Sequence, residues 1–211
     1  MAGNSRARRL SPLVRLVASC LPGWKTQGVA LGHEVEAGVW QIMDFQLSKY
    51  VTSWSFTVNL GIHDVDLEGF LPSWPRLNTQ KISTAVCNLG RTRLGELVDG
   101  HDQWWDLRAD DAIAQLSHRL CSTLKKFAIP DLQHLQSREA IADTWMRNNK
   151  APWFRGNQPM VLAALLKRVG RDREAETVAA GAVAASIGSP SEEWSKTVAE
   201  RLRPFHRQSP G

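Results

Sequence analysis

Two arginines two residues apart, Arg91 and Arg93, carry the clearest chemical potential in the chain. On a strand they share one face, and two guanidiniums on one face can clamp a carboxylate or a phosphate. Gln46 and Asn59 lie on neighbouring segments that also read as strands, and Asn59 falls on the face opposite Phe56 and Val58. Together the four residues could line a cleft beside a sheet that takes an anionic ligand. The structural alternative is that the arginines pair with Asp44, Glu96 or Asp106 across the sheet, a common stabilising device. The residue types weigh toward that alternative.

Aromatic residues supply the second set of candidates. Nine Trp stand against one Tyr. Trp104 and Trp105 are adjacent, so in a strand they point to opposite faces, one to the core and one free to stack on a ligand or a partner. Trp74 and the Trp153-Phe154 pair sit in proline-bearing loops and are candidates for an exposed partner-binding surface. Packing alone is the competing reading for all of them. His63-Asp64-Asp66 and His101-Asp102 contain metal-friendly types but lack the spacing of a zinc, calcium or metalloprotease motif. No nucleophile elbow, phosphate loop or dinucleotide fingerprint occurs. No catalytic residue, metal ligand or cofactor is therefore assigned.

These residues must be positioned by a sheet. From Val35 to Ile62 the chain reads VEAGVWQIMDFQLSKYVTSWSFTVNLGI. Trp54, Phe56, Val58, Leu60 and Ile62 alternate with Ser55, Thr57, Asn59 and Gly61, the mark of a strand with one apolar face. Val39 to Leu47 is apolar on both faces and suits an inner strand. The polar stretch around Ser48, Lys49 and Tyr50 joins the two as an antiparallel hairpin. Residues 63 to 78 read as a long loop, Ile82 to Leu94 as a further strand, and Leu97-Val98 and Trp104 to Leu107 as a strand–turn–strand across Asp99-Gly100-His101-Asp102.

The period then changes to that of helices. At the start, residues 1 to 9 read as a basic tail, and Ser11 with Pro12 opens an amphipathic helix to about residue 21. Later, Asp110 can cap a helix to Phe127 that Ile129-Pro130 should break, and Ser137 can cap another to Arg147. Pro159 to Val169, residues 172 to 186, and a segment opened by Ser189, Pro190 and Glu192 and stopped by Pro204 make three more. The expected architecture is α+β: an antiparallel sheet of four to five strands packed by helices over residues 10 to 147, then a three-helix C-terminal subdomain over residues 158 to 205.

Charge and cysteine usage narrow the function classes. The formal charge is +5 over 211 residues, yet residues 1 to 33 hold Arg6, Arg8, Arg9, Arg15 and Lys25 and no acid. The remaining 21 basic and 21 acidic residues balance. A neutral body with a solvated basic start argues against nucleic-acid binding. Cys20, Cys87 and Cys121 are far apart and odd in number, which suggests reduced thiols and a cytoplasmic setting rather than a disulfide framework or a zinc site. Val17-Ala18-Ser19-Cys20 matches the pattern before a lipidated cysteine, but the apolar run ahead of it is short and holds Arg15. No stretch approaches the length of a membrane span.

Several of these segments act together as a signature. Phe45-Gln46-Ser48, Phe56-Thr57-Val58-Asn59-Leu60-Gly61, Arg93-Leu94-Gly95 and Trp104-Trp105 resemble the bacterial family catalogued as domain of unknown function 4304, over roughly residues 10 to 145. The resemblance implies an α+β domain with an antiparallel sheet and a cytoplasmic bacterial setting. It implies no reaction and transfers no catalytic residue. Two functions compete on this basis. One is a non-enzymatic protein-binding domain, of an immunity or regulatory type, using the sheet face or the aromatic loops; the balance of residues leans this way and away from an enzyme. The alternative is a small-ligand binder or enzyme built on the arginine-containing cleft.

Overall fold

The computed structural model describes residues 2–48, 55–78, 82–107, 113–154 and 159–203, with side chains from residue 10 onward. Trp54, Lys49, Tyr50 and the Asp110 cap fall outside the described residues. Strands β1 (Lys25–Gln27), β2 (Ala30–Glu36), β3 (Val39–Leu47), β4 (Ser55–Asp64) and β5 (Gly90–Arg93) lie in that order in one antiparallel sheet, and β6 (Trp105–Asp106) pairs with the start of β4. The α+β class and the central hairpin agree with the sequence reading, with six strands among the described residues.

The alternation sets the register. Phe45 faces Val58 and Leu47 faces Phe56 across β3 and β4. Phe45, Phe56 and Val58, with Met43, Leu60 and Ile62, are fully or almost fully buried on one face, Leu47 is half-buried beside them, and the Phe45 and Phe56 rings stack 6.1 Å apart. Gln41 lies in the same apolar row and is satisfied there: its Nε2 donates to the carbonyls of Leu132 (2.7 Å) and Leu135 (3.1 Å). Helix α1 (Ala2–Ser19) packs Leu10, Leu13, Val14 and Val17 into the same core. Residues 2 to 9, within the stretch read as a tail, are therefore helical in backbone, and Pro12 lies inside the helix rather than at its first position.

The other sheet face carries a smaller core. Ile82 and Cys87, from the segment before β5, pack on Ala30 and Ile42, with Trp40 and Leu77 at its edge. Gly61 must be glycine here, because a Cβ would run into the Cys87 sulfur. That segment is not the expected strand. Ser83 accepts a hydrogen bond from the Ala85 amide (3.2 Å) and opens a 3₁₀ turn over Thr84–Val86, so the chain arches over the sheet and joins it only at Gly90. The Leu97-Val98 strand is also corrected. Helix α2 (Leu94–Val98) forms instead, with Gly95 pressed against the returning backbone of His101 and Gln103.

Helix α3 (Ile113–Thr123) does not break before Pro130. A π-helical turn over Leu124–Ala128 carries it into α4 (Ile129–Gln133). Pro130 has no amide to donate, and the start of a new helical segment is where that loss costs least. Ser137 caps α5 (Arg138–Arg147) as expected, accepting from the Ala140 amide at 3.2 Å. Helices α6 (Pro159–Arg168), α7 (Asp172–Ser186) and α8 (Glu192–Leu202) follow. Helix α8 starts two residues later than the expected box, with Glu192 Oε2 accepting from the Gly188 amide at 2.6 Å.

The cysteine expectation is overturned. Cys20 and Cys121 are bonded, with Cα atoms 6.5 Å apart, and tie the end of α1 to α3. Reading cysteines by spacing fails here because the partners are 101 residues apart and only the fold brings them together. The bond also removes the ground on which reduced thiols pointed to the cytoplasm. Cys87 is the free thiol, and it is buried. Among the described residues, no helix is long and apolar enough to cross a membrane.

Candidate functional site

The strand register gathers the polar candidates on the face opposite the main core. Asp44, Asn59 and Arg93 form one row across β3, β4 and β5, and Ile42, Gly61 and Arg91 form the next. Side chains two apart along a strand share a face, so Gln46 joins Asp44 and Asn59 there. The arching segment before β5 walls one side with Ser83, Thr84 and Ala85, while Glu96 and Asp102 stand at another. The result is a cavity of about 890 Å³ that Gln46, Asn59, Arg91 and Arg93 all line. The four residues singled out from the sequence are thus brought together.

Their partners differ in a way that matters. Arg93 pairs with Asp102, an acid not among the partners expected. Asp102 Oδ2 also accepts from Trp104 Nε1 at 2.9 Å, and the Arg93 guanidinium lies 5.9 Å from the Trp104 ring centre. Arg93 is therefore held by a carboxylate and an aromatic face. Arg91 is exposed and makes no hydrogen bond or ion pair among the described residues. Asn59 Nδ2 donates to Gln46 Oε1 at 2.9 Å. Asp44 Oδ2 accepts from the hydroxyls of Ser83 (3.0 Å) and Thr84 (3.4 Å). Burial pushes the Asp44 carboxyl above its ordinary range, and these hydrogen bonds only partly offset it. The neighbouring Cys87 thiol is pushed far up by burial, beyond any useful nucleophilic range.

The aromatic candidates do not gather. Trp153 is 3% exposed, with Nε1 donating to Asp131 Oδ2 at 3.1 Å. Its expected exposure is corrected: the Pro152–Phe154 turn folds inward, because two adjacent aromatic rings lose more by facing water than the loop gains. Trp74 is half-buried and donates to the Val86 carbonyl at 3.0 Å. Trp105 stacks on Phe56, 5.8 Å between centres. Trp104, at 40% exposed, does not line the cavity itself but touches two residues that do, Arg93 and Asp102.

The histidine clusters are used internally. His63 is fully buried, with Nδ1 2.9 Å from the Val86 carbonyl and Nε2 2.9 Å from Glu68 Oε1. Asp64 and Asp66 both turn to Arg138. His101 Nδ1 meets the Asp99 carbonyl. Among the described residues, no group of three His, Cys, Asp or Glu side chains is placed to hold a metal.

Sequence reasoning named Asp44 only as an arginine partner and Asp102 only as a turn residue of a metal-friendly type, and missed Ser83 and Thr84 altogether. Asp44 had a signal: it stands two residues before Gln46 in a mostly apolar strand, which puts two polar side chains on one face. Ser83 and Thr84 had none, because their segment reads as a strand.

A family model described as "Domain of unknown function (DUF4304)" matches residues 34–134. That stretch contains β3 to β6 and every residue lining the cavity except Val29 and Pro152. The sequence resemblance, drawn over roughly residues 10 to 145, is wider: the match leaves out α1, β1 and α5. No curated protein and no solved structure matches the chain.

Proposed function

The DUF4304 family model that matches residues 34–134 offers no reaction to inherit, and from the cavity itself we propose that this domain binds a small anionic ligand against the polar face of its sheet. The observation that carries this reading is Arg91. It is a guanidinium lining a cavity of about 890 Å³, with no acid partner among the described residues. Cavities of a few hundred to about a thousand Å³ with a few converging polar groups are the usual form of small-molecule sites. Arg93, already matched by Asp102, shapes the wall and adds little net charge. The protein-binding reading loses support by comparison, since three of its four aromatic anchors, Trp74, Trp105 and Trp153, pack on the protein itself.

Inorganic phosphate is a direct probe. Phosphate should raise the melting temperature at constant ionic strength, as any ligand selective for the folded state does. Arg91→Ala should melt at the wild-type temperature without phosphate, because the side chain is exposed and unpaired, and should lose most of the phosphate-induced rise. An equal rise in both proteins, or none in the wild type, would return Arg91 to a solvated surface role.

A further inference from the structure

The anion-binding reading leaves the cavity's second polar feature unused. Asn59 and Gln46 satisfy one another through a single hydrogen bond. Each amide carries one acceptor and one two-proton donor group. With Asn59 Nδ2 donating to Gln46 Oε1, the Asn59 Oδ1 acceptor and the Gln46 Nε2 donor remain. If both amides are turned over, an Asn59 donor and a Gln46 acceptor remain instead. In either orientation the pair offers one donor and one acceptor, and both residues line the cavity. Asparagine and glutamine read a base edge with one donor and one acceptor; here two side chains supply them.

Spacing selects among molecules that join such an edge to an anion. Asn59 is directly opposite Arg93, so Arg91 lies diagonally from it, a Cα separation of about 7–8 Å on a sheet. Gln46 is displaced diagonally the other way, since Asn59 faces Asp44. Arg91 and Gln46 thus stand on different levels of the sheet face, with Asn59 between them. The two or three carbons of a free asparagine or glutamine, which would join a carboxylate to a carboxamide, are a poor match to that span. A sugar between a phosphate and a base is a good one.

We propose that the ligand of this cavity is a nucleoside monophosphate, with Arg91 on the phosphate and the Gln46–Asn59 pair on the base edge. The proposal rests on the anion-binding reading. The test is a titration of the full chain with AMP, GMP, CMP and UMP, alongside ribose 5-phosphate, inorganic phosphate and free asparagine. At least one nucleotide should bind about tenfold or more tighter than ribose 5-phosphate, the size of effect that a matched donor–acceptor pair supplies. In Asn59→Ala that preference should collapse, so that the two affinities converge. Gln46→Met, which keeps the side-chain length, should do the same if Asn59→Ala fails to fold. Equal affinity for ribose 5-phosphate and every nucleotide would overturn the proposal and leave anion binding standing, as would tighter binding of asparagine. Preference retained in a folded Gln46→Met protein would also overturn it. If no phosphate-bearing probe binds, both readings fall together.

Discussion

Arg138 and Asp44 show two ways in which this fold uses a buried charge. Arg138, 7% exposed, is fully matched. It donates to both oxygens of Asp64 (2.7 and 2.8 Å), to Glu36 (2.8 Å), to Asp66 (3.0 Å) and to the Ala37 carbonyl (2.9 Å). Those bonds, Asp64 first, hold the guanidinium above its already high range. Arg138 thereby locks α5 to the ends of β2 and β4, which is a structural role. Asp44 has hydroxyl partners and, among the described residues, no cation bonded to it, and burial raises its carboxyl. Its pKa is therefore higher folded than unfolded. The cost is absent below the ordinary carboxylate range, near pH 4, grows as pH climbs to the raised value, and is constant above it. Asp44→Asn should accordingly melt higher than wild type at neutral pH, and the gap should close on acidification through that window. Melting curves across pH would check this; a variant less stable at neutral pH would mean that the carboxylate is a net stabiliser. A residue that costs stability in a cavity wall is what a binding site tolerates. The site was legible in the sequence as far as strand alternation reached: Gln46, Asn59, Arg91 and Arg93 follow from period two. Arg138 was not, because its carboxylates come from two strand ends and the turn after β4, and nothing local marks them.

At the scale of elements, period again separates what could be read from what could not. β3, β4 and helices α5 to α8 stand where alternation and helical spacing place them. The failures share one cause: tertiary contacts overrode a local pattern. Ile82 to Leu89 reads as a strand from its residue types, yet Ile82 and Cys87 are apolar because they cap the small core on the sheet's second face. Leu97 and Val98 are apolar because α2 packs them on the main core. The Pro130 stop failed because a π-turn absorbs the proline. The Cys20–Cys121 bond is the most consequential of these contacts. It closes 101 residues of chain, and a loop that long restricts the unfolded state strongly. A Cys20→Ser, Cys121→Ser double variant should lose about 2–4 kcal/mol in urea unfolding, and the wild type under reductant should shift by a similar amount. Full alkylation of three thiols in unreduced, denatured protein would show that the bond does not form.

Across the whole molecule the C-terminal helices are not an appendage. In α6 seven consecutive residues, Met160 to Leu166, are buried. A helix apolar around its full circumference needs neighbours on all sides, and α6 has them: α7 and α8 on one flank, and α5 with the turn after β4 on the other. Leu165 and Val198 belong to the same continuous core as Phe56 and Leu120. Surface ties follow the same route, with Arg168 pairing with Asp66 (2.6 Å) and Trp194 Nε1 donating to the Pro72 carbonyl (3.0 Å). The family match ends at residue 134, so the matched segment carries the cavity but not the cover of its own core. A fragment ending at residue 157 should therefore lack a cooperative thermal transition and expose apolar surface to a dye such as ANS, whereas the full chain unfolds in one transition. A fragment that melts cooperatively near the full-length temperature would make the three helices a separable domain, and the sheet a self-sufficient scaffold for its cavity.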